Sequence, residues 1–319
     1  MIYDLFAIGT GPAGLSAGLY AGRYRMKALV VVTEFGGASS KAGIIWNYPG
    51  RPGVDGYELM VDMKKQAKEV GTEVLDDEVI SISNGGGCFT IKTKSGKEYV
   101  SKSVLFGTGT EHIKLGIPGE ERLHSRGVHY CITCDGPVYS DKIIAVVGGG
   151  DASVKGINLA SEYAKKIYFI VREKEIIAEP INLELMQGLG DKVEILMETE
   201  VLEIVGEKRL EKIILSKQFQ GTNELILDGL FVEIGARPNT VLAESIGVAL
   251  DPRGYIAVNN EMATNIPGVF AAGDTVNFFG NFKQDITAAA MGSVAATSAY
   301  QYAKTHGNLC MIHSKTVGG

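Results

Sequence analysis

The chain has 319 residues, of which 45% are hydrophobic and 21% charged, and a formal net charge of −6. That length accommodates two domains with cores of their own, and the composition excludes a disordered or fibrous chain. The acidic balance argues against a nucleic-acid partner, no apolar run reaches the ~20 residues that span a bilayer, and four cysteines are too few for a disulfide-stapled secreted scaffold.

In chain order, the first predicted strand, Tyr3 to Ile8, opens close to the first residue, so no secretory leader is expected. It runs into Gly9-Thr10-Gly11-Pro12-Ala13-Gly14, then a helix of small residues to about Arg23 and an apolar strand over 28–32. Glu34 follows Gly14 by 20 residues. After a strand at 103–106 comes a first seam, Ile113 to Gly119, and then Cys131-Ile132-Thr133-Cys134-Asp135. The strand–turn–helix–strand pattern then recurs. Strand 143–147 leads into Gly148-Gly149-Gly150-Asp151-Ala152-Ser153, a helix over about 152–164 and a strand at 166–171, with Glu173 again 20 residues beyond the turn. A strand at 229–234 precedes a second seam, Gly235 to Asn239. Pro267 to Asp274 follows, then a final helix from about Asp285 to Ala303 and a loose tail from Gly307.

Each glycine turn is a nucleotide-binding signature. Its glycines let the backbone approach a pyrophosphate, the helix N-terminus receives the anion, and an acid about 20 residues on accepts from the ribose hydroxyls. The repeat predicts an α/β chain of two Rossmann-like, three-layer domains, the second inserted into the first. Between the turns, Cys131 and Cys134 have the spacing of a closable redox pair. A zinc site is disfavoured because there is no second pair; Cys88 and Cys310 stand isolated, the first read as structural in a hairpin, the second with His313 as incidental surface or a flap over the cofactor or partner site. No metal is expected. Trp46 is read as packing. A redox-active pair of this kind fits the cytoplasm.

These segments, with Asn47-Tyr48-Pro49-Gly50, Gly107-Thr108-Gly109, Cys131-Ile132-Thr133-Cys134-Asp135-Gly136, Pro267 to Asp274 and Lys283-Gln284, resemble the low-molecular-weight, FAD-dependent thioredoxin reductases over nearly the whole chain. The resemblance implies an FAD-binding domain of residues 1–115 plus 242–319 and a pyridine-nucleotide-type domain, 116–241, carrying the dithiol. It implies FAD held by Gly9, Gly11, Pro12, Ala13, Gly14, Glu34, Asn47, Thr108, Gly109, Gly273, Asp274, Lys283 and Gln284, with Asp274 on the ribityl chain. It makes Cys134 the flavin-side thiol, Cys131 the exchanging thiol, Asp135 the proton donor and Arg126 a docking residue for thioredoxin. It also implies a homodimer.

The departures concern the electron donor. NADPH-using members carry a His-Arg-Arg-x-x-x-Arg cluster where this chain reads Val171-Arg172-Glu173-Lys174-Glu175-Ile176-Ile177. Arg172 remains, but an acid beside a 2′-phosphate repels it, so NADPH is disfavoured. NADH, with Glu173 on the 2′-hydroxyl, or a ferredoxin or another non-nicotinamide donor is expected; Gly148, Gly150, Ser153, Arg172 and Glu173 are the candidate second nucleotide site, the alternative being a structural turn that binds no nucleotide. Lys155-Gly156 replaces a pair of glutamates that seat the nicotinamide, Lys283 replaces an arginine and Asp285 a small residue. Two function classes remain: a reductase of thioredoxin-like proteins, and a flavoprotein electron carrier or redox sensor without disulfide turnover. The intact Cys131–Cys134 pair beside Asp135 favours the first.

Overall fold

The computed structural model describes residues 1–316 except Thr33, Trp46, Gly86 and Asn281, and except the side chains of Val32, Cys134, 307–309 and 311–316. The expectations for Trp46, for the Cys134 thiol and for the His313 ring fall outside the described residues. The chain divides into two units, Met1–Glu111 with Pro238–Gly319, and His112–Arg237. Both crossings fall inside or beside the predicted seams, four residues ahead of the boundaries read from the sequence (115 and 242).

Each unit is built on a five-stranded parallel sheet. In the first, the strand order is Val269–Ala271, Val104–Phe106, Leu5–Ile8, Ala28–Val32, Glu73–Asp76. In the second it is Val128–His129, Gly229–Val232, Ile143–Val147, Lys166–Val171, Val193–Met197. The central strand of each sheet is the one that feeds a glycine turn, and the next strand in sequence lies beside it. Both strands are apolar runs because both faces of a parallel sheet are covered. Val30 is wholly buried against Gly14 and Gly18 of the helix Pro12–Arg23, and Phe6, Leu29 and Phe106 are wholly buried on the opposite face of the sheet, where Phe6 packs on Tyr99. Ile144, Phe169 and Phe231 are wholly buried against Val154, Ile157 and Ala160 in the second unit. Burying each such side chain contributes about 1.5–3 kcal/mol. A smaller sheet forms the third layer in each unit: Ile2–Tyr3, Glu98–Ser101, Cys88–Thr93 and Val79–Gly85 in the first, and Val201–Val205, Lys212–Phe219 and Thr222–Ile226 in the second.

The C-terminal region departs from expectation. The last helix does not end at Ala303 with a loose tail after it; it runs unbroken from Asp285 to Thr316. Cys88 and Cys310 are not isolated: they form a disulfide across 222 residues, and both are buried. At 1.5 Å of rise per residue, Cys310 lies roughly 37 Å along the helix from Asp285. It is pinned to the small sheet, so the described part of the tail, up to Thr316, does not fold back as a flap over the glycine turn at the helix's start.

Candidate active site

The first turn is dictated by close backbone approach. Gly9 has φ +115°, and a Cβ there would stand 2.1 Å from the Gly107 carbonyl oxygen; one on Gly14 would stand 1.8 Å from the Gly9 carbonyl oxygen. Only glycine lets strand, turn and helix meet this tightly. The helix starts at Pro12, its N-cap is Gly11, and no side chain caps it. Its first N–H groups are therefore open to an anion, and the helix dipole favours negative charge there. Thr10 is buried and accepts the Gly36 N–H at 3.0 Å, which fixes the loop after the second strand. Glu34 stands in that loop, exposed, and is ion-paired with Lys41.

Other segments of the same unit converge on this turn. Gly273, at φ +80°, brings its α-carbon against Ala13, where a Cβ would stand 3.0 Å from the alanine methyl. Asp274 follows; burial pushes its carboxyl up while nearby Lys283 pulls it down. Asn47 donates to Gln284 at 2.8 Å. Thr108 donates to the Asn239 carbonyl at 2.6 Å, and Gly109 accepts the Asn239 N–H. Lys283 folds back, donating to the carbonyls of Asp274 and Val276 and lying 4.2 Å from the Tyr255 ring centroid; burial lowers its pKa. Ser39 donates to Asp285 at 2.6 Å, and burial pushes that carboxyl up. An uncapped helix start, a cradle that any Cβ would fill and a buried carboxyl beside it suit the pyrophosphate and polyol of a flavin dinucleotide.

The second turn repeats the design. A Cβ on Gly148, at φ +155°, would stand 2.1 Å from Ser153 Oγ. Ser153, buried, donates to the Glu233 carbonyl at 3.0 Å. Glu173 Oε2 lies beside the Gly149 α-carbon, so the acid at the end of the second strand faces the turn. Arg172 is committed to that acid: Nε and Nη2 donate to Glu173 Oε1 at 3.0 and 2.8 Å, with Glu200 at 3.9 Å.

Cys131 is disulfide-bonded, and none of the described cysteines is free. It precedes a short helix, Ile132–Asp135, whose Asp135 N–H donates to the Cys131 carbonyl at 3.1 Å. A Cβ on Gly156 would stand 2.8 Å from Ile132 Cγ2, so the dithiol helix lies directly on the helix of the second turn, Asp151–Ala160. The Asp135 carboxylate is met by His129 Nδ1 at 3.1 Å, and His129 Nε2 by the Tyr139 hydroxyl at 2.8 Å. Arg126 is exposed on the turn before the strand Val128–His129.

Residues 3–296 match the pyridine nucleotide-disulphide oxidoreductase family. A thioredoxin reductase of Streptomyces coelicolor is 36% identical over 304 residues, 93% of either chain. The chain belongs to the thioredoxin reductase family. A crystal structure of Lactococcus lactis thioredoxin reductase superposes with a TM-score of 0.87 at 32% identity, covering 94% of this chain and 98% of that one. A ferredoxin-flavin thioredoxin reductase from Clostridium acetobutylicum is also 32% identical, with a TM-score of 0.51 and coverage of 95% and 99%.

Within this thioredoxin reductase fold, the departures noted in the sequence acquire physical causes. Gly156 is required by the Ile132 side chain packed on it. Lys155 is held by Asp151 at 2.8 Å and Glu179 at 3.5 Å. Ile177, where the third arginine is expected, is 77% exposed. The sequence reading missed three residues. His129 and Tyr139 flank the dithiol motif and were readable only as polar interruptions. Glu233 closes the strand Gly229–Val232; its carboxylate accepts the Ile132 N–H, and burial pushes its pKa up to about 7.

Proposed function

We propose that this chain is an FAD-dependent disulfide reductase that passes electrons through the Cys131–Cys134 pair to thioredoxin or a thioredoxin-like protein, with NADH or a ferredoxin rather than NADPH as donor. The observation that carries the reading is the disulfide at Cys131 on a helix packed against the second glycine turn, in a chain whose first turn is an uncapped dinucleotide cradle. FAD would be held by the Gly9–Gly14 turn, by Glu34 at the adenosine ribose, and by Asn47, Thr108, Gly109, Gly273, Asp274 and Gln284. It would supply a two-electron carrier for the dithiol. Cys131 then exchanges with the substrate disulfide through a mixed disulfide while Cys134 stays on the flavin side. Asp135 gives a proton to the departing sulfur, and Arg126 presents a cation to the docking protein.

The donor assignment rests on charge. Glu173 would accept a ribose 2′-hydroxyl, and it also binds Arg172, the arginine that remains of the phosphate-binding cluster. The ferredoxin alternative rests on the Clostridium relative. The thiol roles are tested by serine replacement. Cys131→Ser should leave a long-wavelength thiolate–flavin band, and Cys134→Ser should trap a mixed disulfide with thioredoxin through Cys131. The band appearing only in Cys134→Ser would reverse the assignment.

A further inference from the structure

His129 is a buried polar residue that the reading above leaves without a task. It is 7% exposed, on a strand paired in register with Gly229–Val232, and its ring lies nearly parallel to Phe231 with centroids 5.4 Å apart. Tyr139 meets it edge-on at 5.5 Å. The imidazole is therefore fixed in place, with one nitrogen on Asp135 and the other on Tyr139. Burial lowers its pKa and Asp135 opposes that shift; His124 is a further titratable group near it, and Asp228 faces Tyr139.

We propose that His129 is the positioning residue of Asp135, holding the acid in one place in both of its protonation states by reversing the direction of two hydrogen bonds. The proposal rests on the disulfide-reductase reading. A neutral imidazole has one donor and one acceptor nitrogen, and the heavy-atom distances suit either tautomer. With Asp135 ionised, Nδ1–H donates to the carboxylate and the Tyr139 hydroxyl donates to Nε2. With Asp135 protonated, the acid donates to Nδ1 and Nε2–H donates to the Tyr139 oxygen. No hydrogen bond is lost and the ring carries no net charge in either state. An asparagine or serine hydrogen-bonded to Asp135 alone would lack the link to Tyr139, and an apolar residue would leave Asp135 untethered.

The chemistry this serves balances simply. The FAD held by the first glycine turn would supply the electron pair that opens the disulfide at Cys131; one sulfur then remains a thiolate and the other takes the Asp135 proton, leaving a carboxylate. That carboxylate is half exposed and recovers its proton from solvent. His129 keeps its position through the cycle, exchanging its tautomer by way of Tyr139.

The test is a mutant cycle on the full-length holoprotein: wild type, His129→Ala, Asp135→Asn and the double variant, assayed for thioredoxin reduction at several pH values. His129→Ala should lose about tenfold, one order below the lower end of the 10²–10⁴ typical of a general acid itself. The double variant should be no slower than Asp135→Asn, because the two residues act as one unit. His129→Asn, which can still donate to or accept from Asp135 but lacks the second nitrogen for Tyr139, should recover only part of the loss, and the pH profile of His129→Ala should resemble that of Asp135→Asn. Flavin content and the rate of flavin bleaching should not change. Losses that multiply in the double variant, or a wild-type rate in His129→Ala, overturn the proposal. Should the wild type reduce no thioredoxin, the functional reading falls. The positioning role is then read from the same cycle by the rate of alkylation of the Cys131 peptide in chemically reduced protein, where multiplying effects overturn it.

Discussion

Glu233 gives the account its sharpest titration. Its carboxylate lies between the second glycine turn and the dithiol helix, with its own carbonyl taking Ser153 Oγ and its side chain taking the Ile132 N–H. Burial raises its pKa from 4.5 to about 7, the Ile132 hydrogen bond opposing. A raised carboxyl pKa means that folding favours the protonated form. The contribution is thus fully present below 4.5, the unfolded value, and is lost as pH rises through about 7. The shift corresponds to about 3 kcal/mol, an upper bound because the side chain is only partly shielded from water. For a unit of this size that is at most roughly 10 °C in melting temperature. Glu233→Gln keeps an acceptor for Ile132 and removes the titration. Thermal unfolding of both proteins from pH 4.5 to 8.5 should show wild type falling relative to the variant, with the change centred between pH 5 and 7. A wild-type-minus-variant difference that stays constant across this range would refute the placement of a buried acid there.

Three further outcomes are expected. Gly14→Ala forces a methyl into the Gly9 carbonyl, so the protein should purify without bound flavin, whereas flavin released from the wild type by acid should co-migrate with FAD; stoichiometric FMN, or a yellow Gly14→Ala protein, would count against the cradle. Glu173→Arg with Ile177→Arg frees Arg172 and adds two cations at the second turn, and should improve the apparent affinity for NADPH by about tenfold or more if a nicotinamide seat exists; unchanged NADPH kinetics with efficient reduction by ferredoxin would assign the donor to the latter. Cys310→Ser should lower stability by about 2–4 kcal/mol in urea unfolding and speed amide exchange in the last helical turns. It should leave the flavin spectrum unchanged, because that end of the helix lies far from the turn; a spectral shift would contradict the separation.

The sequence made the parallel sheets legible because each glycine turn is bracketed by apolar strands with an acid at a fixed spacing, and the structure places Leu5–Ile8 and Ile143–Val147 at the centres of their sheets. The Cys88–Cys310 bond was not legible: 222 residues separate the partners, and neither has a local pattern that names the other. The length of the last helix was misread because Thr305 to Asn308 are weak helix formers, and tertiary packing and the disulfide override that propensity. Asn47 and Gln284 were read separately and prove to be hydrogen-bonded, which no spacing rule could show. His129, Tyr139 and Glu233 escaped because each looks like an ordinary polar residue until the fold buries it beside the dithiol helix.

The central claim is that electrons entering at the flavin reach the dithiol at Cys131. Its most direct test is anaerobic reduction of the purified protein with NADH, NADPH and reduced ferredoxin in turn, each supplied at no less than the four electrons per chain that flavin and dithiol together accept, followed by quenching with an alkylating reagent and mass analysis of the 131–134 peptide. The account predicts flavin bleaching by NADH or ferredoxin, more slowly by NADPH, and two newly alkylated thiols in that peptide while Cys88 and Cys310 remain bonded. Bleached flavin with the 131–134 peptide still oxidised would contradict it.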